Sequence, residues 1–251
     1  MQRGAIALVS TVSLALCLLG DVRGQGRSGL ASSSDGEFFF SRLAYSDAGG
    51  RRWSSWLTDY PEAEIHLLQG LSRLTRIETG ASGVQVSLED DELMNYPWLY
   101  AVEVGRWSLS EAEAARLREY LMRGGFLMVD DFWGTYEWAI FLESMKRVFP
   151  DRPILEISEA DELLHVLYDL DQRIQIPGVN YIYRGVTWQR DGYTPHWRGI
   201  YDDQGRLMVA INFNMDMGDA WEHADNPAYP NPMTALAYRF AVNYVIYSMT
   251  H

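Results

Sequence analysis

The stretch "SLSEAEAARLREYLMRGGFLMVDDFWG", residues 108 to 134, constrains the fold more than any other part of the chain. Ser110 is placed to cap a helix, and Glu113, three residues on, completes a capping box. Arg123 meets the negative end of the helix dipole and Gly124 supplies the stop. The next residues, "GFLMV", are an unbroken apolar run of strand length. A strand without polar alternation is covered on both faces, as strands inside a parallel sheet are. A capped helix feeding such a strand predicts a sheet with helices on both sides.

The flanking sequence repeats the alternation. Phe38 to Tyr45 predicts a first strand, and Pro61 opens a helical pattern with Ile65, Leu68, Leu71 and Leu74 on one face. Val84 to Leu88 and Trp98 to Val104 predict two more strands. Residues 135 to 150 predict a helix with a stripe of Trp138, Phe141, Leu142, Met145 and Phe149. "PILEI" gives another strand and "EADELLHVLYDL" a short helix. This order is that of a three-layer, doubly wound α/β fold with a mainly parallel sheet. After Pro177 the pattern changes: residues 199 to 214 predict two strands joined by a Gly-containing turn, an antiparallel extension at the sheet edge. The chain closes with an amphipathic helix whose apolar face is interrupted by Arg239 and Asn243, so it is not read as transmembrane. No internal repeat is visible.

The N-terminus sets the expected compartment. Arg3, an apolar run from Ala5 to Leu19, and Val22 and Gly24 at the minus-three and minus-one positions predict a signal peptide over residues 1–24, cleaved near Gly24. Residues 25–36 form a Gly/Ser linker, and residues 37–251 are read as a single domain. The expectation is a periplasmic or secreted protein with no stable membrane span in the mature chain. The only cysteine, Cys17, lies in the signal, so the mature chain has neither a disulfide nor a thiol. Residues 1–24 carry Arg3, Arg23 and Asp21; without them, 21 basic and 34 acidic residues become 19 and 33, a net charge of −14. That balance argues against nucleic acid as a partner. Aromatic residues make up 13% and are read as core and rim, with stacking on a sugar or partner surface as the alternative.

Chemistry is expected at the carboxyl ends of the strands. Asp130 and Asp131 end the "FLMV" strand. Consecutive strand residues face opposite sides, so both can address one crevice only if the backbone has left the strand at Asp131, which nearby Gly134 favours. A second cluster, "NFNMDMGDAWEH", follows the predicted strand Leu207 to Phe213 and brings Asn212, Asn214, Asp216, Asp219, Glu222 and His223 together. With Trp133 and Trp221 beside them, Asp130, Asp131, Asn214, Asp216, Asp219, Glu222 and His223 form the expected ligand-binding set. Such a set suits a divalent cation or general acid/base work; helix capping and loop solvation are the competing reading. The spacing matches no metal signature, so no metal ligand is assigned, and no cofactor is named. The chain lacks G-x-S-x-G, H-E-x-x-H, a phosphate-binding loop and G-x-G-x-x-G. Gly49 and Gly50, ahead of Arg51 and Arg52, read as a plain turn, with an anion-binding loop as the alternative.

Three segments carry a family resemblance: "FFFSRLAY", residues 93 to 134 and "DMGDAWE". They resemble a bacterial family of exported or membrane-linked proteins, domain of unknown function family 4159, over roughly residues 37 to 250. The resemblance implies the class I glutamine amidotransferase-like fold, a flavodoxin-like three-layer sandwich. Amidotransferases of that fold use a cysteine at a strand-to-helix elbow with a downstream His and Glu. The matching region here carries Asp130 and Asp131, so thiol-dependent glutamine hydrolysis is excluded. A His-Pro pair of the family pattern is replaced by "SEADELLHV". Two functions follow as expectations. One is a non-catalytic module that binds a small molecule, glycan or protein. The other is a carboxylate-dependent hydrolase of a carbohydrate or cell-envelope substrate, with Asp130 or Asp131 as base or nucleophile and Asp219 or Glu222 as acid.

Overall fold

Helical and extended segments alternate along most of the chain, as the sequence pattern requires. A computed structural model describes residues 36–48 and 54–251. The segment expected to be a signal peptide, nearly all of the expected linker and the loop at residues 49–53 lie outside the described residues. The strands are β1 Ser41–Ala44, β2 Ser46–Asp47, β3 Val84–Ser87, β4 Trp98–Val102, β5 Trp107–Ser108, β6 Phe126–Asp130, β7 Leu155–Glu156, β8 His196–Tyr201 and β9 Leu207–Phe213. The helices are α1 Glu62–Leu74, α2 Glu111–Met122, α3 Gly134–Val148, α4 Val179–Ile182, α5 Met217–Glu222 and α6 Asn231–Thr250. Among them no helix is long and apolar enough to cross a membrane.

Seven strands form one sheet in the order β3-β1-β4-β6-β9-β8-β7. The first five run parallel; β8 is antiparallel to β9, and β7 is antiparallel to β8. The fold is therefore α/β with a mostly parallel sheet and antiparallel strands at one end. β4 and β6 are buried along their whole length, and their alternate residues feed two cores. Trp98, Tyr100, Phe126 and Met128 pack with α1, α5 and α6, while Leu99, Ala101, Leu127 and Val129 pack with α2 and α3. The connection from β1 runs through α1 to β3, whereas β4 leads through α2 to β6 on the other side. The carboxyl ends of β1 and β4 thus flank a topological switch point.

The capping box of α2 is present with both of its bonds, and Gly124 ends the helix at φ +109°. Four expectations need correction. Regular β1 spans only Ser41–Ala44, with Phe38 in an isolated bridge to Thr79. α1 buries Ala63, Glu64, Leu67, Leu68 and Leu71 and leaves Ile65 and Leu74 exposed, because the layer it packs on includes a polar partner for Glu64. "PILEI" pairs only through Leu155–Glu156. The expected helix over "EADELLHVLYDL" shrinks to a 3₁₀ turn, Glu162–Leu164. Asn243 of α6 explains the last: its side chain accepts from the Tyr168 N–H and donates to the carbonyls of Leu163 and Tyr168, taking backbone groups a helix would use itself.

Candidate functional site: a carboxylate centre at the strand ends

β6 delivers Asp130 on the face covered by α1, α5 and α6, in step with Phe126 and Met128. The residue is fully buried. Its Oδ2 accepts the backbone N–H groups of Met217 (2.7 Å) and Gly218 (2.9 Å) and the hydroxyl of Tyr100 (3.2 Å). These amides begin α5 and have no partner within it, so Asp130 docks α5 onto the end of β6. The other oxygen, Oδ1, is also buried and accepts no hydrogen bond from the described residues.

Asp131 leaves the strand, at φ +48°. This left-handed turn is what allows two successive carboxylates to serve one region. Trp133 Nε1 donates to Asp131 Oδ1 (2.7 Å). The Asp131 N–H donates to the Met215 carbonyl, and the Asn214 N–H to that of Phe132, so β6 and β9 stay side by side beyond their ladder. The acidic segments that follow the two strands are thereby brought together.

A third segment joins them. Arg42 of β1 forms a fully buried ion pair with Glu64 of α1. Its Nη1 donates to the carbonyls of Trp56 (2.9 Å) and Thr58 (2.8 Å), which fixes the loop carrying Asp59 at φ +64°. Gly218 makes room for this approach: a Cβ there would stand 2.2 Å from Asp59 Oδ2 and 2.6 Å from the Tyr100 hydroxyl. On α5, Asp216 Oδ1 accepts the Asp219 N–H, and Asp219 Oδ2 accepts the Val179 N–H of α4. A Cβ at Gly178 would lie 2.8 Å from Asp216 Oδ2 and 2.9 Å from Asp219 Oδ2, so both carboxylates face one point beneath that glycine.

The electrostatic outcome follows from burial and like charge. Burial pushes Asp130 up to about 7 against the opposing amides of Gly218 and Met217. Asp131 is raised by burial and by Glu103, Asp59 by burial and Asp219, and Asp216 by burial and Asp131. Arg42 opposes the rise at Asp59. Nearer the surface, burial and the neighbouring Asp219 push Glu222 up to about 7.

Asp219, Glu222 and His223 form the mouth of the centre, with side chains 14%, 28% and 27% exposed. One donor atom from each lies within 4.8 Å of the others. Two carboxylates and an imidazole so placed could hold a divalent cation, a grouping that the sequence spacing did not single out.

The structure brings Asp130, Asp131, Asp216, Asp219, Glu222 and His223 into this region. Asn212, Asn214, Trp133 and Trp221 serve it from behind. Asn212 is tied to Val129 and Tyr244, while Asn214 accepts from the Gly134 N–H and donates to Thr194. Trp133 and Trp221 are buried, and Trp221 packs on Phe40 and Tyr100, so neither offers a face to a ligand. Asp59, Arg42 and Tyr100 were missed. Asp59 carries only a turn signal, Asp-Tyr-Pro, and Arg42 sits inside an otherwise apolar strand.

Residues 40–249 match the family described as domain of unknown function, DUF4159, and the chain belongs to that family. A search of curated proteins returned no match.

Proposed function

We propose that this DUF4159 chain is an exported binding module, built on an amidotransferase-like scaffold without a thiol, whose carboxylate centre receives a positively charged ligand group. A divalent cation is the simplest such group. The reading is carried by one observation: carboxylates from three separate segments converge, and Asp59, Asp130, Asp131, Asp216 and Glu222 among them have raised proton affinities. Buried like charges are costly unless protons or cations offset them. The unpartnered oxygens Asp130 Oδ1 and Asp59 Oδ2 are the hard donors that divalent cations take. Melting the purified protein with and without millimolar calcium, magnesium or manganese tests this. Stabilisation by at least one cation is expected, and no shift with any of them counts against the reading.

Export rests on the N-terminal pattern. Intact mass of the protein recovered from a bacterial envelope fraction should lack residues 1–24.

The hydrolase reading keeps support from Glu222. A half-buried carboxyl pushed up to about 7 suits a general acid at neutral pH, with Asp131 as its partner base. Asp130 is unsuited to nucleophilic attack because it is fully buried and its Oδ2 is already saturated. Hydrolysis of envelope glycans that survives both Glu222→Gln and Asp131→Asn unchanged would remove this pair from any mechanism.

A further inference from the structure

A cavity of about 700 Å³ lies between α1 and α6, beyond the C-terminal end of α5. That is within the size range of small-molecule sites, roughly 300–1,000 Å³. Its walls combine Leu74, Tyr168 and Tyr238 with the guanidiniums of Arg73 and Arg239. Tyr238 is seated closely against Gly70, where a Cβ would fall 2.2 Å from the ring, so the helices approach there only because residue 70 has no side chain. Arg239 lies over the Tyr168 ring at 6.0 Å. Neither arginine is ion-paired with a carboxylate among the described residues, although acidic residues number 34 against 21 basic ones in the chain. Asp225 is the one acidic group in the lining, and it makes no ion pair within 4 Å among those residues. His66 closes one end, its Nδ1 turned to the carbonyls of Trp221 and Glu222.

We infer that this groove binds a monoanionic amphiphile, its carboxylate held by Arg73 and Arg239 and its apolar body lying along Leu74, Tyr168 and Tyr238. Guanidinium groups match a planar carboxylate in shape and charge, and tyrosine rings suit a flat apolar body. Arg73 and Arg239 are exposed at the rim of this cavity, where they can meet an anionic head that stays at the water edge, and the acidic field of the chain disfavours a multiply charged one.

Calorimetric titration of the purified protein with 2-naphthoate tests the inference, with the neutral isostere 2-naphthamide as the comparison. Saturable one-site binding of naphthoate is expected. Naphthamide should bind about tenfold or more weakly, and the Arg73→Gln/Arg239→Gln variant should lose naphthoate affinity by a similar factor, as expected for charge-assisted bonds. Ala235→Trp, which fills the groove and leaves both arginines, should abolish binding without lowering the melting temperature. Absence of saturable naphthoate binding, equal affinity for naphthamide, or unchanged affinity in either variant overturns the inference.

Discussion

Asp130 shows how one side chain can organise a site and strain it at once. Its hydrogen bonds to Met217, Gly218 and Tyr100 hold α5, yet burial raises it from an ordinary 3.8 to about 7. That difference corresponds to about 4 kcal/mol held against the ionised form. Asp130→Asn keeps an acceptor for the two amides and removes the charge. It should melt no lower than the parent at pH 8 without ligand, whereas Asp130→Ala should lose about 2–4 kcal/mol by urea denaturation. A large loss in the Asn variant would contradict this account of the residue. Arg42 behaves in the opposite way: Arg42→Met leaves Glu64 buried and unpaired, and unfolding free energy should fall by about 3–5 kcal/mol. At this scale the sequence was only partly legible. The condition that Asp131 must leave the strand could be stated from period-two geometry, and its φ of +48° meets it. Arg42 could not be placed, because its partner Glu64 lies 22 residues away on another element.

Elements were most legible where local chemistry and tertiary packing agree. The helix α2 carries its own start and stop, so its bounds follow from Ser110, Glu113 and Gly124. The segment Glu159 to Leu170 had helical spacing but no such ends. Its apolar Leu163 and Leu164 are buried, while its backbone is satisfied by Asn243 from α6. Here a side chain 75 to 80 residues away decided the local structure, which no periodicity could show. Asn243→Leu removes the partner of one buried backbone group, the Leu163 carbonyl, at about 1–3 kcal/mol, and of two partly buried ones on Tyr168 that water can reach. Chemical denaturation should show a loss of about 1–3 kcal/mol, and a near-neutral change would contradict this role of Asn243. In the acidic run after β9, Asp219, Glu222 and His223 lie together, with Asp216 beside Asp219. The run's tryptophan, Trp221, went to the core because α5 turns it inward against Phe40 and Tyr100, and Trp133, ahead of α3, is held inward by its bond to Asp131.

For the whole molecule, the carboxylate centre predicts an unusual pH response. An acid whose folded value is raised binds its proton more tightly when folded than when unfolded. Its contribution to stability is full below the ordinary carboxylate range and is lost as pH rises to the folded value, about 7 for Asp130 and Glu222. Asp191 and Asp202, which are lowered, act in the opposite sense, and only as pH falls below that range. Without ligand, calorimetric melting temperature should therefore fall between about pH 4.5 and 7.5; a rise across that window would contradict the assignment.

The α/β class was legible because unbroken apolar strands alternate with amphipathic helices. The third acidic segment was not, because the loop carrying Asp59 is placed by Arg42 of β1, through the carbonyls of Trp56 and Thr58, only in the folded chain. A cation entering this centre should displace the protons that burial holds there. The most direct test is titration calorimetry of the purified protein with calcium, magnesium and manganese at pH 7.5 in two buffers of different ionisation enthalpy. Saturable binding with proton release, weakened about tenfold or more by Asp216→Asn/Asp219→Asn, is the predicted result. Absence of saturable binding with all three cations, or binding unchanged in the double variant, would contradict the carboxylate centre as the ligand site.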